Sequence, residues 1–393
     1  MKNKKTPDIR FKGFTDDWEQ RKVSDMFKLT RGNVLPATVI SPNLDDINCY
    51  PVYSSQTLNN GLMGYYKTFL YENAVTWTTD GANAGTVRYR AGKFYCTNVC
   101  GVLLSDEVKA SKMIAEALNN VAKRHVSYVG NPKLMNNVMA EIAVLLPTNS
   151  KERKAISNIL DAFDTLITLH QRKLEKLKNF KKAMLEKMFP KNGEKTPKIR
   201  FQGFTDDWEQ RKLSDIADVR DGTHDSPQYV DEGYPFITSK NVSNGYITYD
   251  DIHYISEKDF NEINKRSKVN AHDILMGMIG TIGNLALIRE KTNFAIKNVA
   301  LIKYTGCVNY NFLYQALQSP LVVNQLSGTL DGGTQKFISL GKIRKLSIPY
   351  SGEEEANKIG AYLENLDSLI TLHQRKLEKL KQIKKAMLEK MFV

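Results

Sequence analysis

Lys5 opens the stretch KTPDIRFKGFTDDWEQRK and Lys195 opens KTPKIRFQGFTDDWEQRK, identical at sixteen of eighteen positions. A second pair, LITLHQRKLEKLKNFKKAMLEKMF at 166–189 and LITLHQRKLEKLKQIKKAMLEKMF at 369–392, agrees at 22 of 24. A repeat of about 190 to 203 residues is far too long for a solenoid unit, so the chain carries one domain twice. Its 393 residues suit two cores.

Between the repeated ends the halves diverge, yet landmarks recur in order. Pro51-Val52-Tyr53-Ser54-Ser55 answers to Pro235-Phe236-Ile237-Thr238-Ser239, and Gly81-Ala82-Asn83-Ala84-Gly85 to Gly280-Thr281-Ile282-Gly283-Asn284. Phe94-Tyr95-Cys96-Thr97-Asn98-Val99 answers to Phe294-Ala295-Ile296-Lys297-Asn298-Val299, and Gly130-Asn131-Pro132-Lys133 to Gly333-Thr334-Gln335-Lys336. Apolar runs bounded by Gly, Asn and Pro predict strands at 99–104, 141–146, 273–280, 298–304 and 344–349. Short helices are expected at 109–123 and 309–326, the second capped by Asn309. Each half is expected to be a mixed α/β globule.

The repeated ends have a clear helical period. Ile156, Leu160, Phe163, Ile167, His170, Leu174, Leu177, Lys181, Met184 and Met188 step by alternating fours and threes, and Ile359 through Met391 repeat the pattern. Such a seam needs a partner. The nearest is the other copy, giving an intramolecular antiparallel coiled coil if a pseudo-twofold axis relates the halves. His170 and His373 lie on this seam and read as packed histidines. In the opening segment Ile9, Phe11, Phe14 and Trp18 stand among charges and are expected to dock each module against a helix or a partner.

Lys and Arg exceed Asp and Glu by 56 − 43 = 13, which points to a polyanionic partner. Residues 170–187 hold seven cations against two Glu, as do 373–390, so these segments carry ten of the thirteen charges. The N-terminus lacks an apolar signal region and no run approaches a membrane span, so a cytoplasmic protein with no membrane partner is expected. Four scattered cysteines exclude a disulfide scaffold, and Cys96 with Cys100 finds no second pair to complete a zinc set.

Catalytic constellations are not apparent. There is no Gly-x-x-x-x-Gly-Lys-Ser/Thr loop for ATP, and Asn131-Pro132-Lys133-Leu134 lacks the second proline and aromatic of an amino-methylation clamp. Glu107-Val108-Lys109 ends like a nuclease motif, but no convincing partner carboxylate precedes it. No catalytic residue, cofactor or metal is expected. Polar residues in turns are more informative: Thr78, Thr79, Asn83 and Arg88 in one half and Thr281, Asn284 and Lys297 in the other are types that bind phosphates and base edges. Arg88, Tyr89, Arg90 and Lys93 place cations round an aromatic, as a DNA-contacting loop does or as a solvated strand edge guarded by charge does. Thr223 and His224 sit in the polar turn Asp221–Pro227, His224 as a phosphate or guanine contact or as a loop histidine. The landmark loops add Ser54, Ser55 and Gln56, then Thr238, Ser239, Lys240 and Asn241, and finally Gln335 and Lys336.

Two variable globules bounded by duplicated TDDWEQRK segments and LITLHQRKLEKLK helices resemble the specificity subunit of type I restriction-modification systems, with FITSKNV and GMIGTIGN typical of one target-recognition domain. The resemblance covers nearly the whole chain. It implies an α/β (α+β) fold: two similar target-recognition domains at 1–150 and 205–350 related by pseudo-twofold symmetry, spacer helices at 151–189 and 351–393, and a linker at 190–204. Each domain would read half of a split double-stranded DNA target. The paired helices would set the spacing and bind two methyltransferase subunits, and restriction subunits would join for ATP-dependent cleavage. The alternatives are a self-contained restriction endonuclease and a coiled-coil scaffold without base readout.

Overall fold

The computed structural model describes residues 6–56, 58–243, 245–328, 330 and 336–392. The chain divides into two compact units, 1–171 with 375–393 and 172–374. Each thus takes one globule, the first part of the long helix that follows it in the chain, and the last part of the other long helix.

In the first unit the strands are β1 (Trp18–Lys22), β2 (Lys28–Arg31), β3 (Tyr50–Tyr53), β4 (Leu62–Tyr66), β5 (Tyr71–Thr78), β6 (Val87–Cys96), β7 (Cys100–Leu104) and β8 (Ala143–Pro147). Six form one sheet in the order β2-β7-β5-β6-β3-β4, antiparallel except where β3 runs parallel to β6. Helix α1 (Lys112–Ala122) packs on it, buries Met113, Ile114 and Leu118, and begins where the Ser111 side chain accepts the Ile114 amide. After α2 (Asn136–Glu141), β8 pairs antiparallel with β1 and leads into α3 (Ser150–Lys187).

The second unit contains β9 (Glu209–Lys212), α4 (Leu213–Ile216), β10 (Asp218–Asp221), β11 (Tyr229–Val230), β12 (Tyr234–Thr238), β13 (Val242–Ser243), β14 (Tyr246–Ile247), β15 (His253–Ile255) and α5 (Glu257–Ser267). It continues through β16 (Ile274–Gly277), β17 (Leu285–Leu287), β18 (Ala295–Lys297), β19 (Val299–Lys303), α6 (Tyr310–Ala316), α7 (Pro320–Gly328), α8 (Leu340–Arg344), β20 (Ser347–Tyr350) and α9 (Glu353–Met391). Its sheets follow the orders β10-β19-β16-β17 and β11-β15-β12-β18. The two units are built alike. The long β6 of the first corresponds to β17 and β18 of the second, where the interruption between them divides one sheet into two. The parallel β3–β6 pairing reappears as β12–β18, and the β1–β8 ribbon as β9–β20.

The expected helix over 309–326 is two helices. Asn309 does cap the first, its side chain accepting the Asn311 and Phe312 amides. Pro320 then opens the second, because a proline that lacks an N–H is tolerated in a first turn and not inside a helix. In the long helices every seam position from Ile156 to Met188 and from Ile359 to Met391 is buried or half-buried. The antiparallel pairing is visible within each unit. In the first, Lys384 of α9 donates to Asp164 of α3 at 2.7 Å. In the second, Lys181 of α3 donates to Asp367 of α9 at 2.7 and 2.9 Å. Lys181 and Lys384 are repeat equivalents, as are Asp164 and Asp367. The globules grip these aspartates differently, through the Lys112 ammonium in the first unit and through the Gln315 amide at 2.7 Å in the second.

The duplicated opening segment docks on the far end of the other copy's helix. Trp18 meets Phe392 edge-on at 6.4 Å, and Trp208 meets Phe189 at 5.8 Å. The Asp8 and Ile9 amides donate to the Lys390 carbonyl, and the Ile199 amide to that of Lys187. These bonds occupy carbonyls that a helix C-terminus leaves without intrahelical donors. Arg10 then closes two hydrogen bonds, 2.7 and 2.9 Å, on Glu152 in the first turn of α3, and Arg200 does the same at 2.8 and 2.9 Å on Glu355 of α9.

Candidate nucleic-acid interface

The turn joining β5 to β6 is held by its own backbone: Gly85 donates to the Thr78 carbonyl and Ala84 to that of Gly81. Gly81 (φ +90°) and Gly85 (φ +79°) supply the left-handed conformations this path requires. Two further loops attach to this turn. Asn83 donates through Nδ2 to the Ser55 carbonyl at 2.9 Å, which fixes the loop after β3. Gly81 donates to the Pro132 carbonyl and Leu134 to that of Thr79, which fixes the segment after α1.

Arg88 and Arg90 stand two residues apart on β6 and so share a face. Both reach Asn60, Arg88 through its side-chain oxygen at 2.6 Å and Arg90 through its carbonyl at 2.9 Å. Asn59 and Asn60 take left-handed conformations (φ +49° and +57°), a path asparagine tolerates better than most residues. The Arg90 guanidinium lies 3.7 Å over the Tyr53 ring, and burial lowers its pKa to about 10, so it stays charged at neutral pH. β3 pairs with β6 only at Tyr95 and Cys96, so the Arg88–Lys93 stretch has a strand partner on the β5 side alone and is an edge on its other side, although Arg90 within it is buried. Tyr89 is half-buried against the core beside α1, and Lys93 lies over the Phe69 ring. Ser54 accepts the Thr97 hydroxyl at 3.0 Å, and the Gln56 side chain reaches the Leu62 carbonyl.

The second unit repeats the joint with other side chains. Thr281 donates its hydroxyl to the Ser239 carbonyl at 2.6 Å, and Asn284 its amide to that of Val242 at 3.2 Å. The Ile338 amide donates to the Met278 carbonyl, bringing in the segment that begins at Lys336. Lys297 reaches the Ser226 hydroxyl. His224 is held by Asn298 at 2.8 Å and Asp221 at 3.1 Å. Thr223 forms an isolated bridge with Lys297.

Most expected site residues therefore gather in two loop clusters, one per unit. They do not all face solvent. Thr78, Thr79, Arg90, Ser239 and Asn241 are buried. Thr79 donates to Asp80, Ser239 to the Asn298 carbonyl, and Asn241 holds Thr238 as well as the Thr248 and Asp250 carbonyls. Gln56, Lys93, His224, Lys240, Thr281 and Lys336 are exposed, while Ser54, Ser55, Asn83, Arg88, Thr223, Thr238, Asn284 and Lys297 are half-buried. Gln335 lies outside the described residues.

Gly32 and Gly222 were not among the sequence candidates, though each follows a strand and precedes a polar loop. A Cβ on Gly32 would come within 2.1 Å of the Cys96 carbonyl oxygen, and one on Gly222 within 2.3 Å of that of Ile296. Their amides donate to Cys100 and Val299. Asn298, at φ +54°, also escaped notice, as did Asn60. No group of three or more metal-ligating side chains occurs among the described residues.

Residues 15–179 and 205–382 match the type I restriction modification DNA specificity domain. The chain belongs to this family. It is similar to the specificity subunit of the type I restriction enzyme MjaVIII of Methanocaldococcus jannaschii, at 23% identity over 390 residues, covering 94% of this chain and 91% of that one. A Mycoplasma pneumoniae protein described as the N-terminus of a type I specificity subunit is 43% identical over 146 residues, 36% of this chain and 75% of that one. The solved S subunit of a type I restriction-modification system from M. genitalium covers 99% of both chains with a TM-score of 0.72 at 18% identity, so the fold is shared. This chain is a type I DNA specificity subunit rather than a self-contained endonuclease or a plain scaffold. No helix among its described residues is long and apolar enough to cross a membrane.

Proposed function

We propose that each loop cluster reads one half of a bipartite double-stranded DNA target. The reading modules are 1–150 and 205–350, followed by the helices at 151–189 and 351–393, with 190–204 as linker. One observation carries this reading: the same three-loop joint occurs twice with unlike exposed side chains, Gln56 in one unit against Lys240, Thr281 and Lys336 in the other. Unlike side chains on like scaffolds favour unlike half-sites, so the target is asymmetric. Buried members such as Arg90 and Asn241 shape the loops, and the exposed and half-buried ones meet base edges and phosphates.

The helices serve partners. Leu166, Leu169 and Phe180 are exposed on α3, and Leu369, Leu372 and Ile383 are exposed at the repeat-equivalent positions of α9. Repeated apolar positions suit two copies of one partner, and the methyltransferase subunit of the complex fits that role, with restriction subunits joining the assembly. The chain itself supplies recognition in the cytoplasm, without catalysis, cofactor or metal. Exchange of residues 23–150 for those of a relative, followed by mapping of methylated positions, is expected to change one half-site and preserve the other. A change in both half-sites would refute the two-module reading.

A further inference from the structure

The loop at 127–133 has a fixed base and a bare apolar tip. Ser127 and Lys133 exchange two backbone hydrogen bonds of 2.9 Å, and Gly130 turns the chain at φ +75°. At the base Val126 is buried, and its side chain leaves Gly85 no room for a Cβ, which would sit 2.8 Å from Cγ2. The return arm is tied to Thr79 and Gly81 of the glycine turn. Beyond this base Tyr128 is 71% and Val129 92% exposed. Exposed Lys123, Arg124 and Lys133 flank them, and among the described residues none of the three is paired with a carboxylate.

Two apolar side chains are far too small a surface for a stable protein interface, which takes about 800 Å² from each partner. They match the size of the apolar wedge with which some proteins part neighbouring base pairs, and the flanking cations suit the phosphates on either side of such a step. The corresponding stretch of the second half, Asp331-Gly332-Gly333-Thr334-Gln335, contains no apolar side chain. We propose that the 127–133 loop is a groove-inserting wedge, its Tyr128 and Val129 unstacking a base step at the half-site read by the first unit only. This inference rests on the DNA-reading function proposed above.

The test uses the complex of the full chain with its methyltransferase subunits, bound to duplexes carrying 2-aminopurine at successive positions of both half-sites. A fluorescence increase is expected at a step of the first half-site and at none in the second. The Tyr128→Ser/Val129→Ser variant should abolish it and bind roughly tenfold more weakly, with the same methylated sequence and an unchanged salt dependence. Lys123→Gln/Arg124→Gln should instead flatten the slope of log affinity against log salt by roughly two. Unstacking that survives the double serine variant, or wild-type binding that unstacks no step, overturns the wedge while leaving DNA reading intact. Loss of methyltransferase binding in the serine variant, with DNA contact unchanged, makes the tip a protein contact and also overturns it. If the wild-type complex shows no sequence preference, the underlying reading fails, and the wedge with it.

Discussion

Arg10 and Arg200 each clamp a carboxylate that water does not reach, since the Glu152 and Glu355 side chains are fully buried. Removing one partner of such a pair leaves a charge stranded in a low dielectric, which costs about 3–5 kcal/mol. Arg10→Met and Arg200→Met should each lower the urea midpoint by that equivalent; changes within about 0.5 kcal/mol, as expected of ordinary surface sites, would show that the clamp is dispensable. The thiols offer a second residue-scale prediction. Burial pushes Cys100 up to about 11 and Cys96 higher still, so both are neutral and unreactive at pH 8, where only a thiolate attacks an alkylating agent. Cys49 and Cys307 are exposed. Native protein at pH 8 should take up two equivalents of iodoacetamide and unfolded protein four, as counted by intact mass; uptake of more than two by the native chain would contradict the packing round β6 and β7.

The long helices were the most legible elements, because a seam of fours and threes leaves little freedom: Ile156, Leu160 and Leu363 are buried as that period requires. Strands announced by apolar runs, such as Val299–Lys303, were legible for the same reason. The division of β6 into β17 and β18 was not, since nothing local marks where a long strand must yield. Nor does sequence reveal which polar loop residue faces inward: Ser239 and Lys240 are neighbours of the same turn, yet one is buried under Met278 and Ile279 amides and the other is exposed. Lys181 of the seam also forms a charged pair whose role is testable. Lys181 and Asp367 are largely buried, so Lys181→Met alone should destabilise by about 3–5 kcal/mol, and Lys181→Met with Asp367→Leu should recover most of that loss. Equal destabilisation by the single and double variants would show that the cost comes from packing and not from a stranded aspartate.

At the scale of the molecule, neither compact unit is made from one half of the sequence. Leu185, Met188 and Phe189 from the first long helix belong to the core of the second unit, and Met391 and Phe392 from the second helix to that of the first. Cutting the chain at an engineered protease site within 190–204 should therefore leave two fragments that co-elute on gel filtration and separate only in denaturant; spontaneous separation would mean that these helix ends are not integral to the cores. The same arrangement poses a problem of self-recognition during folding. Trp18 and Trp208 stand in nearly identical sockets, and Phe392 and Phe189 end nearly identical plugs, so side-chain chemistry cannot tell the plugs apart. Chain connectivity can. Trp18 pairs with Pro147 just before α3, and Phe189 follows the other end of that unbroken helix of 38 residues, which cannot fold back to bring its own plug to the socket at its start. The remaining competitor is a plug from another molecule. Refolding at high concentration should thus yield interlinked chains in which every local contact is native and only the ownership of the helix ends has changed.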